Sequence, residues 1–592
     1  MDEITQKKRC QNCKNDFEVT SEDFNFYKKI NVPFPTFCPQ CRLARKLLWR
    51  NERSLYKRSC DLCKKSIISM YKTDAVFPVY CHECWWSDKW SPLDYSQDYD
   101  FSVSFFEQFK KLSKKVPRAS SYETKNIDCS YCNYCTHSKG CYLLFGSWFN
   151  ENCGYGQTVL ESKDCWDCLF VKKCELCLSS TDLIQCSQVL FSQNCSNCID
   201  SAFLYDCRNC QNCLFSWNLR NKNYYVFNKQ VSKEEFLKLK EEILGNYSSL
   251  EKNFTEFKKA VTEQAIHKFM TGERNHNVSG ELIYGSKNVK NSYYIHEGEN
   301  ERYAVRGGVG QKDSMDVFGV HSGELIYESN SVDFSSRCFF SSNAENNVNV
   351  IYAVDCEHVN NSFGCIGLRK KEYCILNRQY DEKTYKELMP KIIDQMTTLP
   401  YKDKTGKVYV YGEFFPSDLS PHAYNESIAQ EWVPISKEKA IELGYAWDNL
   451  EEKNYSPTKN WKELPETVKE IGDNILSEII MCQSWDKNKE SAQNHKCTKA
   501  FRITENELRI YRRFGLPLPR KCPNTRYFEL SMLRSKPNLW PRSCMCGRAG
   551  SPQATANHPH HSGKCENKFE TAYSPDRPEI VYCEQCYQQE VS

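Results

Sequence analysis

CSYCNYCTHSKGCYLLFGSWFNENCGYGQTVLESKDCWDC, residues 129–168, repeats with a period of three. Every cysteine in it falls on one phase, and the phase continues to Leu219. All 15 cysteines from Cys129 to Cys213 share it, which chance would give about two times in ten million by counting template matches. The other residues on that phase are mostly small or apolar. A second tract repeats the pattern at Val320, Gly323, Ile326, Ser329, Val332, Ser335 and Cys338, and on to Cys365. Neither the helix period of 3.6 nor the strand period of two fits. Short straight segments joined by frequent corners, aiming every third side chain at a narrow axis, do fit. The sequence therefore predicts a parallel β-helix or a β-helix-like solenoid, with outward Asn, Asp, Lys and aromatic residues. Longer repeats run through it: Cys165, Cys186 and Cys207 lie 21 apart, and GELIYGSKNV at Gly280 returns 43 later as GELIYESNSV at Gly323.

Two duplications organise the rest. LRNKNYYVFNKQVSKEEF from Leu219 matches LRKKEYCILNRQYDEKTY from Leu368 without a gap. Each copy closes a tract and opens a stretch, 232–270 or 381–398, whose apolar residues recur at helical spacing; these predict amphipathic helices covering the ends of the tracts. The termini are related as well. A shift of 484 sets Cys13, Phe17, Thr20, Tyr27, Cys38, Arg42 and Cys60 on Cys497, Phe501, Thr504, Tyr511, Cys522, Arg526 and Cys544. After an 18-residue insertion, a shift of 502 sets Cys63, Tyr80, Cys81 and Cys84 on Cys565, Tyr582, Cys583 and Cys586. The expectation is a multidomain, mainly β chain of 592 residues. Tandem zinc ribbons occupy 1–95, a Cys-rich solenoid 96–230, a helical linker or cap 231–272, a second solenoid 273–380, a helical and mixed linker 381–480, and a diverged copy of the ribbons 481–592.

KRCQNCKNDF with FCPQCRLARK supplies Cys10, Cys13, Cys38 and Cys41; RSCDLCKKSI with VYCHECWW supplies Cys60, Cys63, Cys81 and Cys84. Four thiolates at C-x2-C spacing suit tetrahedral Zn2+, and such closed sets are structural. Pairing could be sequential or crossed. The C-terminal copy has Asn494 and Thr525 where Cys10 and Cys41 would fall, yet keeps its second set whole, and decay of one site alone predicts sequential pairing. A third zinc is expected on Cys544, Cys565, Cys583 and Cys586, so about three zinc ions in all. Cys546 competes with Cys544, and His558, His560 and His561 are lesser candidates. Cys497 and Cys522 are expected to hold no metal unless His495 and Cys482 rebuild a site. CSYCNYC and CRNCQNC look like iron–sulfur runs, but the fourth Cys followed by Pro is missing. The tract cysteines read instead as a packed inward ladder, with metal or redox use of those thiols as the alternative.

A net charge of +3 excludes a globally basic nucleic-acid binder. Locally, residues 1–65 carry 15 Lys/Arg against 8 Asp/Glu. Arg42, Arg45, Lys46, Trp49, Arg50, Arg53 and Lys57 follow helical spacing, six cations around one Trp, and form a candidate surface for RNA, DNA or a ribonucleoprotein. The alternative is a solvated charged face on a scaffold that docks proteins through its solenoid. No run is apolar enough for a membrane helix and the N-terminus lacks a signal-peptide pattern, so a cytoplasmic protein with reduced thiols is expected. No nucleotide-binding, hydrolase or metalloprotease motif is present. Asp316, Asp333, Arg337 and Asp355 could be arranged as in β-helical lyases, but scattered acids usually face solvent. The chain reads as a scaffold without a small-molecule substrate.

Together, KKRCQNCKNDF, NERSLYKRSCDLC, VYCHECWWSDKW, LRNKNYYVFNKQ, GEFFPSDLSPHAYNESIAQ and SPDRPEIVYCEQCYQQEV resemble an uncharacterised family of Cys-rich proteins with zinc ribbons and β-helix-like tracts from uncultivated, small-genome bacteria. The resemblance spans nearly the whole chain and implies zinc binding.

Overall fold

The structure, a computed structural model, describes residues 4–449, 455–547, 561 and 563–591. It is mainly β, with two large parallel sheets of 12 and 15 strands. In the first tract Ile127 pairs with Lys139, which pairs in turn with Glu151, Lys163 and Glu175, each 12 residues on. The same step links Ser130, Tyr142, Gly154 and Trp166, then Asn133, Phe145, Gln157 and Leu169, then Thr136, Trp148, Leu160 and Lys172. Four ladders set three residues apart make a 12-residue coil with four short sides. The spacing of 21 is thus seven sides rather than a whole number of coils.

The corners explain the period of three. From Asp128 to Asn221 every third residue has a φ between +45° and +64°. A left-handed residue costs about 1–2 kcal/mol unless it is Gly, Asn or Asp, types that recur at these corners. The cost is offset by the ladders on either side. Each corner precedes an inward residue, and where the inward side chain one coil earlier is Ser or Asn it accepts that residue's amide. Ser147 Oγ accepts from Val159 N–H at 3.0 Å, Ser162 from Cys174 at 3.1 Å, Ser180 from Ser192 at 3.1 Å and Ser201 from Cys213 at 3.0 Å. Cys174 Sγ accepts from Cys186 N–H at 3.5 Å. The inward phase is therefore rich in Ser, Cys and Asn because buried amides need acceptors, not only because the axis is narrow. The second tract follows the same plan, with Ser329 accepting from Ser341 and Asn347 from Val359. Its first coil has 11 residues and another, at Gly308–Gly310, has 13.

The first ladder begins at Glu123 rather than near residue 96. Each tract ends by folding back antiparallel, Tyr225 on Gln230 and Cys374 on Gln379. That blunts the open edge, and the first helix after each tract lies against that end, Phe236 5.6 Å from Tyr224 and Tyr385 5.7 Å from Tyr373. Helix Tyr247–Glu263 runs instead along a column of rings, Phe191, Phe203, Phe215 and Phe227, stacked at 5.0, 4.4 and 5.0 Å. Its Phe254 and Phe257 pack on Phe203 at 5.8 and 5.7 Å.

The segments dock crosswise. Helix Phe105–Ser113, which precedes the first tract, packs on the second, with Phe105 5.1 Å from Tyr352. Helix Tyr247–Glu263, which precedes the second tract, packs on the first through Phe254 and Phe203. Phe105 and Phe254 are 149 apart, as are Phe203 and Tyr352 and the matching segments at Leu219 and Leu368. The terminal segments cross in the same way. Helix Pro39–Leu47 meets the second tract, with Arg42 Nε 2.8 Å from Asp316. Helix Pro523–Ser531 meets the first, with Arg526 Nε 3.1 Å from Asp167. Arg42 and Arg526 differ by 484 and the two aspartates by 149. Strand Val79–Tyr80 lies parallel to Arg118–Ala119, and Ile580–Tyr582 to Ile266–Lys268, again at offsets of 502 and 149. Two hydrophobic clusters mirror this exchange: one joins Tyr27, Leu47 and Trp49 to Tyr327 and Tyr352, the other Phe501, Leu508 and Tyr511 to Tyr155 and Phe203.

Candidate metal centres

Each four-cysteine set is assembled from a strand end and a helix start. Strand Ile4–Arg9 pairs antiparallel with Asp16–Thr20, and Cys10 opens the turn between them. Its N–H donates to Asn15 O at 2.9 Å, and Lys14 takes a φ of +64°. The second pair stands at the start of helix Pro39–Leu47, where Pro39 occupies the first helical position and needs no N–H partner. Cys38 N–H donates to Cys10 Sγ at 3.3 Å. The Cys60 set repeats this geometry, with Cys60 N–H on Lys65 O at 2.8 Å and Cys81 N–H on Cys60 Sγ at 3.2 Å. So does the Cys544 set, with Cys544 N–H on Asn567 O at 2.8 Å and Cys583 N–H on Cys544 Sγ at 3.3 Å.

The sulfurs group sequentially: Cys10, Cys13, Cys38 and Cys41; Cys60, Cys63, Cys81 and Cys84; Cys544, Cys565, Cys583 and Cys586. Within each set all ligand atoms lie within 4.8 Å of one another, so each could hold a metal ion. The contacts are 3.7 Å for Cys13–Cys38, 3.8 Å for Cys63–Cys81 and 3.9 Å for Cys565–Cys583. A tetrahedron with arms of about 2.3 Å has sulfurs about 3.8 Å apart, whereas a disulfide needs about 2.05 Å. All the cysteines are unbridged. Neighbouring thiols Cys38 and Cys41 hold Cys10 well below the ordinary thiol range, and Cys544 likewise pulls Cys583 down.

Cys546 does not displace Cys544. It groups with His561, whose Nε2 is 3.9 Å from its sulfur, and with Cys586, which it shares with the four-cysteine set. His558 and His560 lie outside the described residues. Cys497 and Cys522 are joined by Cys482 in a further group, while His495 stacks against Phe528 instead. Of the two residues expected to rebuild that site, Cys482 joins it and His495 does not; the constant offset of 484 sets Asn494 on Cys10 because two short helices, Gln483–Lys487 and Lys489–Asn494, intervene between Cys482 and Cys497. The strand before Cys482, Ile480–Met481, was the available signal. The tract cysteines use their thiols locally: Cys168 Sγ donates to Trp166 O at 3.2 Å and to Cys177 O at 3.5 Å.

The basic stripe is not a surface. Arg42, Arg45, Lys46, Trp49 and Arg50 are all at most 3% exposed. Arg42 and Lys46 face Asp316; Arg45 sits between Glu328 and Glu413, the latter at 2.8 Å. Arg50 Nε is 2.7 Å from Glu52, which also receives Arg306 at 2.8 Å and the Gln157 amide at 2.6 Å. Trp49 lies 4.6 Å from Phe415. Arg53 stacks over Tyr527 at 3.6 Å, and Lys57 alone of the seven is exposed. The helical spacing was real, but acids from distant segments turn the stripe inward, a complementarity invisible to a local charge count. Asp316 and Asp355 are likewise taken up in buried pairs with Arg42 and Arg118, and Asp333 pairs with His321.

Among the described residues no helix is long and apolar enough to cross a membrane. No protein-family model matches the chain, and no curated protein matches it.

Proposed function

We propose that the protein is a zinc-stabilised, non-catalytic scaffold, in which two β-solenoids of duplicated origin are clamped crosswise by two copies of a tandem zinc-ribbon segment. The observation that carries this reading is the coupling of each four-thiolate set to a docking element. Helix Pro39–Leu47 begins at a pair of cysteines and pairs through Arg42 and Arg45 with Asp316 and Glu328 of the second tract. Closed sets leave no coordination position for a substrate, so their product is rigidity. Zinc suits four thiolates at these distances better than a hard, oxygen-seeking cation. The motifs that resemble a Cys-rich zinc-ribbon family point the same way.

The partner is best read as protein. With the cationic stripe consumed internally, the outward phases carry the free surface, where Ile127 on a ladder and Tyr131, Phe149 and Phe334 at corners are exposed. Apolar groups held at regular spacing on a rigid coil suit protein docking. The test is removal of zinc by a strong chelator under reducing conditions, followed by limited proteolysis. The scaffold reading expects the segment around Arg42 to become cleavable while the tracts stay protected. Unchanged protection after complete zinc removal would overturn it.

A further inference from the structure

We propose a fourth metal site on Cys482, Cys497 and Cys522, in which the hydroxyl of Thr525 stands where the other three sets have a fourth thiolate. Ile480 pairs with Phe501 and Met481 with Ala500, in the register that sets Lys8 on Phe17 and Arg9 on Asp16. Since Phe501 and Ala500 lie 484 beyond Phe17 and Asp16, Cys482 occupies the place of Cys10, and Asn494 does not. The hydrogen bonds agree. Cys482 N–H donates to Lys499 O at 2.9 Å, as Cys10 N–H does to Asn15 O, 484 residues earlier. Cys522 N–H donates to Cys482 Sγ at 3.2 Å, matching 3.3, 3.2 and 3.3 Å at the closed sets.

The donor set is sized for an ion. Cys497 and Cys522 sulfurs are 3.6 Å apart, close to the tetrahedral edge of about 3.8 Å. Thr525 Oγ1 is 3.2 Å from Cys522 Sγ and 3.8 Å from Cys482 Sγ, and the residue is fully buried. Thr525 is 484 beyond Cys41. Three thiolates and a neutral oxygen suit a thiophilic divalent ion, zinc first, but hold it with one weak arm. A thiolate is a stronger ligand to zinc than a hydroxyl, so this ion exchanges while the other three stay. The inference borrows only the identity of the ion from the zinc reading of the closed sets.

The experiment is metal analysis of the full chain purified under reducing conditions, with zinc release to a chromogenic chelator, on wild type, Cys522→Ser and Thr525→Cys. The expected result is four zinc per chain in wild type, one of them leaving in a separate fast phase. Cys522→Ser should lose that one equivalent, and Thr525→Cys should keep four and slow the fast phase. Thr525→Cys restores the sulfur found in the closed sets, so it tests the site even if Cys522→Ser does not fold. Cobalt substitution gives a second readout, since Thr525→Cys should add thiolate-to-cobalt charge-transfer intensity at one site. Three zinc in wild type, whether or not Thr525→Cys raises it to four, would overturn the proposal while leaving the closed sets intact. No zinc in any variant would overturn both readings.

Discussion

Arg42 Nε and Asp316 Oδ2 lie 2.8 Å apart with both side chains at most 2% exposed, joining a terminal helix to a coil whose residue is 274 positions away. Breaking a buried pair leaves the other charge without compensation and costs about 3–5 kcal/mol, whereas replacing both partners by apolar groups is often neutral. Because Lys46 also faces Asp316, Arg42→Met is expected to destabilise by up to that amount in denaturant titration, and replacing the whole group, Arg42→Met, Lys46→Met and Asp316→Leu, to recover most of it. Lys57→Ala, on the exposed position of the same stripe, should change stability by less than about 0.5 kcal/mol. If Arg42→Met is as harmless as Lys57→Ala, the stripe is not a clamp.

Acid should loosen the protein through its buried histidines. Burial pushes His422 down to about 3, helped by the charges of Arg118 and Lys72, and burial pushes His296 down to about 4. Both sit below the 6.5 of the unfolded chain. As pH falls, the unfolded state takes up protons first, so stability is full above about 6.5 and drains away toward 4 and 3. Glu52 adds a lower step. Burial alone would raise it, but Arg306, Arg50 and Gln157 outweigh that and hold it at about 2, so its contribution is present above 4.5 and lost as pH falls through 2. His422 stacks on Tyr71 at 5.1 Å, and His422→Phe keeps the stack without the titration. Chemical unfolding at pH 7.5, 6 and 5 should show a shallower decline in that variant; parallel declines would contradict the assignment.

The inward ladder makes a prediction that separates hydrogen bonding from packing. Cys174 Sγ accepts from Cys186 N–H and donates to Lys172 O at 3.4 Å. Cys174→Ser keeps both roles and should cost less than about 1 kcal/mol, while Cys174→Val fills the space but strands the amide, at about 1–3 kcal/mol. Thermal unfolding of the two variants decides it, and a ladder that is merely hydrophobic would reverse the order.

The period of three was legible because left-handed corners recur without exception from Asp128 to Asn221, and the inward phase is then filled with Cys, Ser, Val and Leu. The coil length was also written in the chain, in the 12-residue spacing of Phe191, Phe203, Phe215 and Phe227, but the cysteine spacing of 21 masked it. The sequential grouping of the cysteines followed from the unequal decay of the C-terminal copy. The fate of Arg42, Arg45 and Lys46 was not legible, because their partners Asp316, Glu328 and Glu413 come from segments that nothing local connects to them. Crosswise docking became visible only when Arg42–Asp316 and Arg526–Asp167 were seen to obey both sequence offsets together.

The central claim is that the closed cysteine sets hold zinc and that zinc fastens the terminal segments to the tracts. Zinc content of Cys41→Ser, measured together with hydrogen exchange of helix Pro39–Leu47, tests it most directly. The account predicts one fewer zinc per chain than wild type and faster exchange confined to that helix and its contacts on the second tract. Unchanged zinc content, or lost zinc with the helix still protected, would contradict it.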